Sequence, residues 1–439
     1  MKEEEPELKY TEIDGLSIAY QTWGSSKDVL IYVPGMVSHL EAALDAPEYV
    51  DWFKILSKKF KVIIFDKRGQ GMSDRDTSVP GLEQRMDDIT AITKAESLDR
   101  FYLFGASEGA SISLIYAASN PQKVKAVAIF GGFARFTEAT DYKLMPDEDT
   151  ILKNFLPNWG KGELGNLFVP HRMPEIKKDM ARLERMVCSP STLESMIKTN
   201  SRIDIRGTLK DIKVPVLVMH SRDDRAISRH NGRYLADNIP NAKYIEYSNG
   251  GHFPWFNSKD NIIDDLLNFY FHDFSEHNDL SKNLSTIMFT DIKDSTKILS
   301  LLGDKGWNEK LNYHDTIMKK NIQKFQGKFI KNTGDGVLSV FNGPVRSIEC
   351  AKECIKDLKT LNLDIRCSLH FGEIHWRDND IAGLAVNISA RVLEIGAVGN
   401  VTITKALNDL IGGSKFQSES LGTHHLKGID NDLELFLVK

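Results

Sequence analysis

Five short and almost wholly apolar segments, separated by helix-favouring sequence, occupy the first half of the chain. They are VLIYV (29–33), KVIIF (61–65), FYLF (101–104), VKAVAIF (124–130) and VPVLVMH (214–220). Strands that are apolar on both faces suit a parallel sheet covered by helices on both sides. The alternation of strand and helix therefore predicts a doubly wound α/β domain, which a helix near DNIIDDLLNFYF (260–271) closes.

This pattern is interrupted twice. Between about 132 and 207, charged and helix-favouring sequence replaces the strands, and we interpret it as a helical cap inserted into the domain. FSEHNDLSKN (274–283) is polar and lacks periodicity. We therefore place a first domain at 1–275, a linker at 276–283 and a second domain at 284–439.

The second domain has a different order of elements. Strand STIMFTDI (285–292) is followed by helical sequence to about 324, a hairpin around 329–341, a helix at 345–361 and strand DIRCSLHFG (364–372). This order is roughly β-α-β-β-α-β, which predicts a ferredoxin-like α+β arrangement.

Composition limits the classes of function. The chain has 439 residues, 41% hydrophobic and 27% charged, as ordinary globular proteins do. A formal net charge of −5 gives no basic footprint for nucleic acid. MKEEEPELKY lacks the apolar core of a signal peptide, and no apolar run reaches 18 residues. We expect a cytoplasmic protein, with Cys350 and Cys354 on a buried helix face rather than in a metal site or disulfide.

The segment YLFGASEGAS carries the pattern G-x-S-x-G at residues 105–109, between a predicted strand and a predicted helix. That context is typical of a nucleophile elbow, in which a sharp turn exposes a serine. Asp223 and Asp224 follow the strand VPVLVMH, and His252 lies in the glycine-flanked loop SNGGHFPWF. The order serine, acid, histidine resembles that of the α/β-hydrolase fold.

This resemblance implies a role for each residue. Ser107 would be the nucleophile and His252 its general base, oriented by Asp224, which stands fifth in the stretch that begins at His220. The oxyanion donors would be the backbone N–H groups of Glu108 and Met36. FDKRGQGMSD (65–74) is similar to the DxRGxGxSD loop of this fold, and we interpret it as structural.

Turnover by this domain stays open at the level of sequence. Pro34-Gly35 replaces the His-Gly often found in the oxyanion loop of such hydrolases, and hydrolase folds also serve as ligand-binding modules. The domain is therefore either a carboxylic ester hydrolase or a sensor, and its small ester or ligand is not identified.

A lysine and an acid lie close together in FIKNTGDGVLSVF (329–341), where Asp335 stands between two glycines at a predicted hairpin turn. Asp291 ends the first strand of the same domain, and in a β-α-β-β sheet that strand can lie beside the hairpin. Two carboxylates at one sheet edge suit hard divalent cations, which could bridge the phosphates of a nucleotide.

At these residues the chain resembles the class III nucleotide cyclases over 284–439. FTDI and GDG match the two segments that carry the metal-binding acids of the family. NDIAGLAVNISARV (379–392) matches its pattern D-x-x-G-x-x-V-N-x-A-x-R, with Ser389 in the usual alanine position. HLKGIDNDLELFLV matches its closing LKG strand. The resemblance implies that Asp291, Asp335 and the carbonyl of Ile292 bind two Mg²⁺ or Mn²⁺ ions. Asn387 would orient the ribose, Arg391 would stabilise the α-phosphoryl charge, and Lys427 would contact the terminal phosphates.

The resemblance also assigns the choice of purine to Lys331 and Asp380. A lysine donor suits adenine N1 and an aspartate acceptor suits the N6 amino group, whereas guanine would leave both groups unpaired. In this family the metal-binding acids come from one protomer and the remaining groups from its partner, which implies a homodimer. We expect an adenylate cyclase that converts ATP to cyclic AMP; the alternative is mainly a serine esterase with a weak or regulatory cyclase module.

Overall fold

The computed structural model describes residues 6–75, 79–256, 262–272, 282–377, 379–429 and 431–439. The chain divides into two compact units, Met1–Asp279 and Leu280–Lys439. The predicted linker, 276–283, falls at this division, and its residues 276–281 lie outside the described residues.

The first unit contains an eight-stranded sheet. Its strands are β1 (Glu7–Ile13), β2 (Leu16–Trp23), β3 (Val29–Val33), β4 (Lys61–Phe65), β5 (Phe101–Ala106), β6 (Val124–Phe130), β7 (Val216–Ser221) and β8 (Lys243–Tyr247). They lie in the order β1-β2-β4-β3-β5-β6-β7-β8. Strands β1, β2 and β4 pair antiparallel, and all other neighbours pair parallel. The α/β class predicted from the apolar segments is confirmed.

Nine α-helices are described in the first unit. In chain order they are α1 (Pro47–Ser57), α2 (Leu82–Ala95), α3 (Glu108–Ser119), α4 (Glu148–Phe155), α5 (Gly165–Phe168), α6 (Lys177–Val187), α7 (Pro190–Asn200), α8 (Arg229–Asn238) and α9 (Ile262–His272). Helices α4 to α7 lie between β6 and β7, where the sequence predicts the cap. Every residue of α3 is buried, so the element that follows Ser107 is fixed along its whole length.

The second unit contains another eight-stranded sheet. Its elements are β9 (Lys282–Ile292), α10 (Ser295–Lys324), β10 (Lys328–Asn332), β11 (Val337–Phe341), α11 (Pro344–Lys359), β12 (Ile365–Arg377), β13 (Asp380–Ala382), α12 (Leu384–Ile395), β14 (Val401–Thr404), α13 (Lys405–Leu410), β15 (Ser418–His424) and β16 (Leu433–Val438). The order is β10-β11-β9-β12-β14-β16-β15, with β13 beside β12. The elements up to β12 follow the predicted β-α-β-β-α-β order.

The structure also bears on the predictions about the two cysteines of one helix and about membrane-spanning helices. Cys350 and Cys354 are both buried on α11 with their sulfur atoms 4.0 Å apart, as expected of a helix face. Among the described helices, none has the length and hydropathy that crossing a bilayer requires.

Candidate active sites

Ser107 lies at a sharp turn between β5 and α3. Its backbone has φ 54° and ψ −122°, a region that non-glycine residues rarely occupy. A side chain at Gly109 would place its Cβ 2.0 Å from the carbonyl oxygen of Val33, so only glycine fits two residues after the serine. The G-x-S-x-G segment therefore has the strand–turn–helix geometry of a nucleophile elbow.

Asp224 and His252 are in direct contact. The Nδ1 atom of His252 lies 2.7 Å from Oδ2 of Asp224, and both residues are buried. The other carboxylate oxygen, Oδ1, accepts hydrogen bonds from the backbone N–H groups of Ala226 and Ile227 at 2.9 Å each. With Nδ1 held by the carboxylate, Nε2 is the nitrogen that a general base would use.

The charge of Asp224 is stabilised inside the fold. Burial favours the neutral acid, but the interactions with His252 and His220 outweigh it and hold the pKa of Asp224 well below its ordinary value. Asp223, the other acid of this loop, accepts a hydrogen bond from the N–H of Gly251 at 3.0 Å. Of the two acids that the sequence offers, Asp224 is therefore the one beside the imidazole.

Ser107 and His252 line one cavity of about 130 Å³ in the first unit. Met36 and Glu108, the predicted oxyanion donors, line the same cavity. Most of the other lining side chains are apolar and include Tyr32, Phe136, Ile151, Phe155, Phe168 and Phe253. The cavity thus combines Ser107 and His252 with a mainly apolar wall, as small-molecule sites usually do.

The loop that carries Met36 is held by two buried side chains that the sequence analysis did not single out. The Nζ atom of Lys67 donates to the carbonyl oxygens of Pro34 at 3.1 Å and Gly35 at 2.5 Å. The Nε2 atom of Gln70 donates to the carbonyl oxygen of Met36 at 2.6 Å. Both residues belong to the segment 65–74 that we interpreted as structural, and their hydrogen bonds hold the loop 34–36 in place.

In the second unit, Asp291 lies one residue before the end of β9, and Asp335 lies in the turn between β10 and β11. Strand β11 pairs with β9, and a Cβ at Gly336 would lie only 1.7 Å from the carbonyl oxygen of Thr290. The turn therefore touches the end of β9, next to Asp291. The two acids predicted to bind metal lie at the same end of the paired strands β9 and β11.

Arg366 of β12 interacts with both acids and was not predicted. It pairs with Asp291 across the β9–β12 register, and its Nε and Nη2 atoms donate to the two carboxylate oxygens. Its hydrogen bonds to Asp291 raise the pKa of Arg366 despite partial burial, and Asp335 adds to the effect. The oxygen donors suit Mg²⁺ or Mn²⁺, but a cation at Asp291 has to displace this guanidinium. No cluster of three or more metal-ligating side chains occurs in the described parts of the chain.

The predicted base-reading residues form a separate pair. Nζ of Lys331 donates to Oδ2 of Asp380 at 2.5 Å, and both side chains are about half exposed. Asn387 and Arg391 lie four residues apart on α12, and Arg391 contacts Glu394 at 2.5 Å.

Lys427 is exposed, and its neighbour Leu426 packs against Ile388 and Val392 of α12. The LKG segment therefore lies against the helix that carries Asn387 and Arg391.

Comparison with known proteins identifies relatives of the first unit. The model of a family described as serine aminopeptidase, S33, matches residues 24–259, more than half of the chain. The AB hydrolase superfamily protein YisY of Bacillus subtilis is 27% identical over 211 residues, covering 46% of this chain and 78% of that protein. The esterase EaEST from Exiguobacterium antarcticum has a TM-score of 0.52 at 21% identity and covers 60% of this chain and 98% of its own structure. The α/β-hydrolase fold of the first unit is thereby confirmed.

The C-terminal part has relatives of another kind. A protein of Rhizobium meliloti named "Putative adenylate cyclase 3" is 28% identical over 129 residues, which are 27% of this chain and 22% of that protein. The predicted resemblance of the second unit to cyclases is confirmed at the level of homology.

Proposed function

Because the chain belongs to the serine aminopeptidase S33 family through residues 24–259, we propose that its first unit is a serine hydrolase acting on carboxylic esters. The observation that carries this proposal is the 2.7 Å contact between His252 and Asp224 beside a cavity that also contains Ser107. Ser107 Oγ attacks the ester carbonyl while Nε2 of His252 takes its proton. The N–H groups of Met36 and Glu108 stabilise the oxyanion.

The residue environments support these roles. Asp224 is ionised across the physiological range, so it keeps Nδ1 of His252 protonated and stabilises the imidazolium that forms during attack. The mainly apolar cavity of about 130 Å³ favours a small apolar acyl group.

Labelling of the purified full chain with a fluorophosphonate tests this assignment. The wild-type protein should be labelled and should hydrolyse a short-chain p-nitrophenyl ester, and Ser107→Ala should lose both properties. Ser111→Ala is the matched control, because Ser111 lies four residues along, buried in α3, and donates to the carbonyl oxygen of Phe133. A folded wild-type protein that neither reacts nor turns over ester would refute the hydrolase and favour a ligand sensor. An aminoacyl p-nitroanilide in the same assay separates ester from peptide-bond cleavage.

For the second unit we propose adenylate cyclase activity, the conversion of ATP to 3′,5′-cyclic AMP and pyrophosphate. Support comes from Asp291 and Asp335 at one end of the paired strands β9 and β11, with Asp380 and Lys331 paired separately. Two Mg²⁺ or Mn²⁺ ions held by the two acids and the carbonyl of Ile292 would lower the pKa of the ribose 3′-OH and neutralise phosphate charge.

The other predicted residues of the second unit complete the proposed site. Asn387 orients the ribose, Arg391 stabilises charge on the α-phosphoryl group, and Lys427 contacts the terminal phosphates. The pair Lys331 and Asp380 selects adenine, because guanine offers the opposite pattern of donors and acceptors.

We propose further that this site forms between two copies of the chain. Within one chain, the base-reading residues Lys331 and Asp380 bond to each other. The metal-binding acids Asp291 and Asp335 interact instead with Arg366. A two-fold homodimer would place the acids of one protomer opposite the base-reading pair of the other and create two equivalent sites.

Incubation of the purified chain with ATP and Mn²⁺ or Mg²⁺, followed by chromatography, tests the cyclase. Cyclic AMP should form, and Asp291→Ala or Asp335→Ala should abolish it. Asp294→Asn is the control, because this neighbouring acid has a positive φ of 56°, which asparagine also tolerates. Absence of cyclic AMP from a folded, dimeric wild type would leave the esterase as the main activity.

A further inference from the structure

The loop that carries His252 bonds to two different parts of the first unit. The loop follows β8, and the side chain of His252 bonds to Asp224, which follows β7. The backbone N–H of His252, however, donates to the carbonyl oxygen of Phe168 at 2.6 Å. Phe168 ends α5, in the segment between β6 and β7 that we interpret as the cap. The proposed general base is therefore bonded to the sheet domain through its side chain and to the cap through its backbone.

The side chain of Phe168 makes a second contact with the same histidine. Its phenyl ring stacks on the imidazole of His252, with ring centroids 5.5 Å apart and ring planes inclined by 24°. The phenyl ring also contacts Phe253 at a centroid distance of 5.4 Å and Phe155 at 6.2 Å. Phe168 and His252 are both buried. Because aromatic pairs prefer particular relative orientations, the phenyl ring restrains the plane of the imidazole.

The approach of the cap to this loop requires a glycine before His252. Gly251 has a φ of 66°, and a Cβ at that position would lie 2.2 Å from the carbonyl oxygen of Phe168. Only glycine therefore lets the next N–H reach that oxygen. The N–H of Gly251 donates to Oδ1 of Asp223, whose Oδ2 lies 3.7 Å from Nδ1 of His171 in the cap. Gly251 and His252 are thus both linked to the cap, the first through Asp223 and the second directly.

Phe168 belongs to a segment that is fixed within the cap. The indole Nε1 of Trp159 donates to the carbonyl oxygen of Cys188 at 3.0 Å, and the backbone N–H of Gly162 donates to Oε2 of Glu184 at 3.0 Å. Glu184 lies on α6, and Cys188 directly follows that helix. These hydrogen bonds attach the segment 159–168 to α6. The position of Phe168 therefore depends on the folding of the cap.

We propose that Phe168 is a positioning residue of the ester hydrolase, through which the cap holds the imidazole of His252 in the orientation that proton transfer from Ser107 requires. A general base must lie within hydrogen-bond reach of the proton that it takes, and small displacements of a catalytic group lower the rate strongly. Asp224 fixes one nitrogen of the ring, but one hydrogen bond does not fix the ring plane. The stacked phenyl ring and the backbone bond to Phe168 supply that restraint. The kinetic effect rests on the proposed hydrolase function, whereas the restraint on His252 does not.

Selective labelling of histidine with ¹⁵N tests the restraint on the full chain by nuclear magnetic resonance. The chain has 12 histidines, and the signals of His252 are identified by their absence from His252→Gln. In the wild type, the backbone N–H of His252 should be protected from solvent exchange on the order of a hundredfold more than that of the exposed His425. Equal protection of the two would overturn the proposal, and this measurement requires no variant of Phe168.

Two substitutions separate positioning of the base from lining of the cavity. Phe168→Leu removes the ring that stacks on His252. Phe155→Leu is the matched control, because Phe155 lines the same cavity and packs against Phe168. Phe168→Leu should lower the kcat of ester hydrolysis about tenfold, the size of one aromatic pair contact, with a smaller change in KM. Phe155→Leu should change KM more than kcat.

The proton on Nδ1 of His252 gives a readout that needs no substrate. It should exchange with solvent about tenfold faster in Phe168→Leu than in Phe155→Leu, since only the first variant loses the stacked ring. Equal exchange of this proton in the two variants, or an equal loss of kcat, overturns the positioning role. A folded wild type that shows the expected exchange but does not hydrolyse esters supports the restraint on His252 and refutes the hydrolase alone.

Discussion

Removal of the Arg366 side chain tests whether this guanidinium competes with metal at the cyclase site. Arg366 donates to both carboxylate oxygens of Asp291, the acid that we propose as a metal ligand. Arg366→Met keeps much of the aliphatic stem and removes the charge. We expect the variant to bind Mn²⁺ more tightly than the wild type in the absence of nucleotide, because the cation no longer has to displace an ion pair.

The expected magnitude follows from the geometry of the pair. The Arg366 and Asp291 side chains are 32% and 20% exposed, so water screens their attraction in part. Two-pronged arginine–carboxylate contacts are stronger than ordinary surface pairs, and at this exposure the contribution is about 1–2 kcal/mol. A difference of about 1.4 kcal/mol corresponds to a tenfold change in a dissociation constant. Arg366→Met should therefore tighten Mn²⁺ binding about tenfold.

The assay is a Mn²⁺ titration in which electron paramagnetic resonance measures the free ion. Asp291→Asn should abolish the tight component, which locates it at this site. Arg346→Met is the control, because Arg346 is a partly exposed arginine on α11 that donates to Gln326. Equal Mn²⁺ affinities of the Arg366→Met and Arg346→Met proteins would refute the competition between Arg366 and the metal.

Three further outcomes are expected. Asp224→Asn should lower the kcat of ester hydrolysis roughly 10⁴-fold, because the amide favours the wrong tautomer of His252; a loss below tenfold would contradict this. Burial lowers the pKa of His370 to about 4 from 6.5, so the unfolded chain binds a proton at this histidine more readily than the folded one does. The free energy of unfolding should therefore be highest above pH 6.5 and should fall by about 3 kcal/mol as the pH drops to 4. Urea unfolding at pH 8 and pH 5 should show a larger loss of stability for the wild type than for His370→Gln. Asp335→Ala and Arg391→Ala should each be inactive as cyclases, but randomly exchanged mixtures should regain roughly a quarter of wild-type activity, since half of the dimers carry one intact site; no recovery, with exchange verified, would mean that each site forms within one chain.

The sequence predicts the interior of the first sheet better than its edges. Segments β3, β4 and β6 are found at their predicted bounds, because a strand buried on both faces appears as a continuous apolar run. Strands β1, β2 and β8 were not predicted. ELKYTEI (β1) and KYIEY (β8) contain charged residues among the apolar ones, and most of their residues are only partly buried. Such segments carry a weak strand signal, because their strand propensity depends on the neighbouring strand.

The same distinction applies to the candidate sites. Ser107, Asp224 and His252 were predicted because a local motif marks each of them. Lys67, Gln70 and Arg366 were not, since their roles depend on contacts with residues that are distant in sequence. Arg366 stands 75 positions from Asp291, and only the register of β9 with β12 brings them together.

The two halves of the proposed oxyanion hole differ in how firmly they are held. The N–H of Glu108 belongs to α3, whose residues are all buried, so its position is set by the core. The N–H of Met36 belongs to a loop held by the side chains of Lys67 and Gln70. The position of the loop half therefore depends on side-chain hydrogen bonds rather than on the core. Because oxyanion donors act mainly in the transition state, loss of the Gln70 side chain should change kcat for ester hydrolysis more than KM.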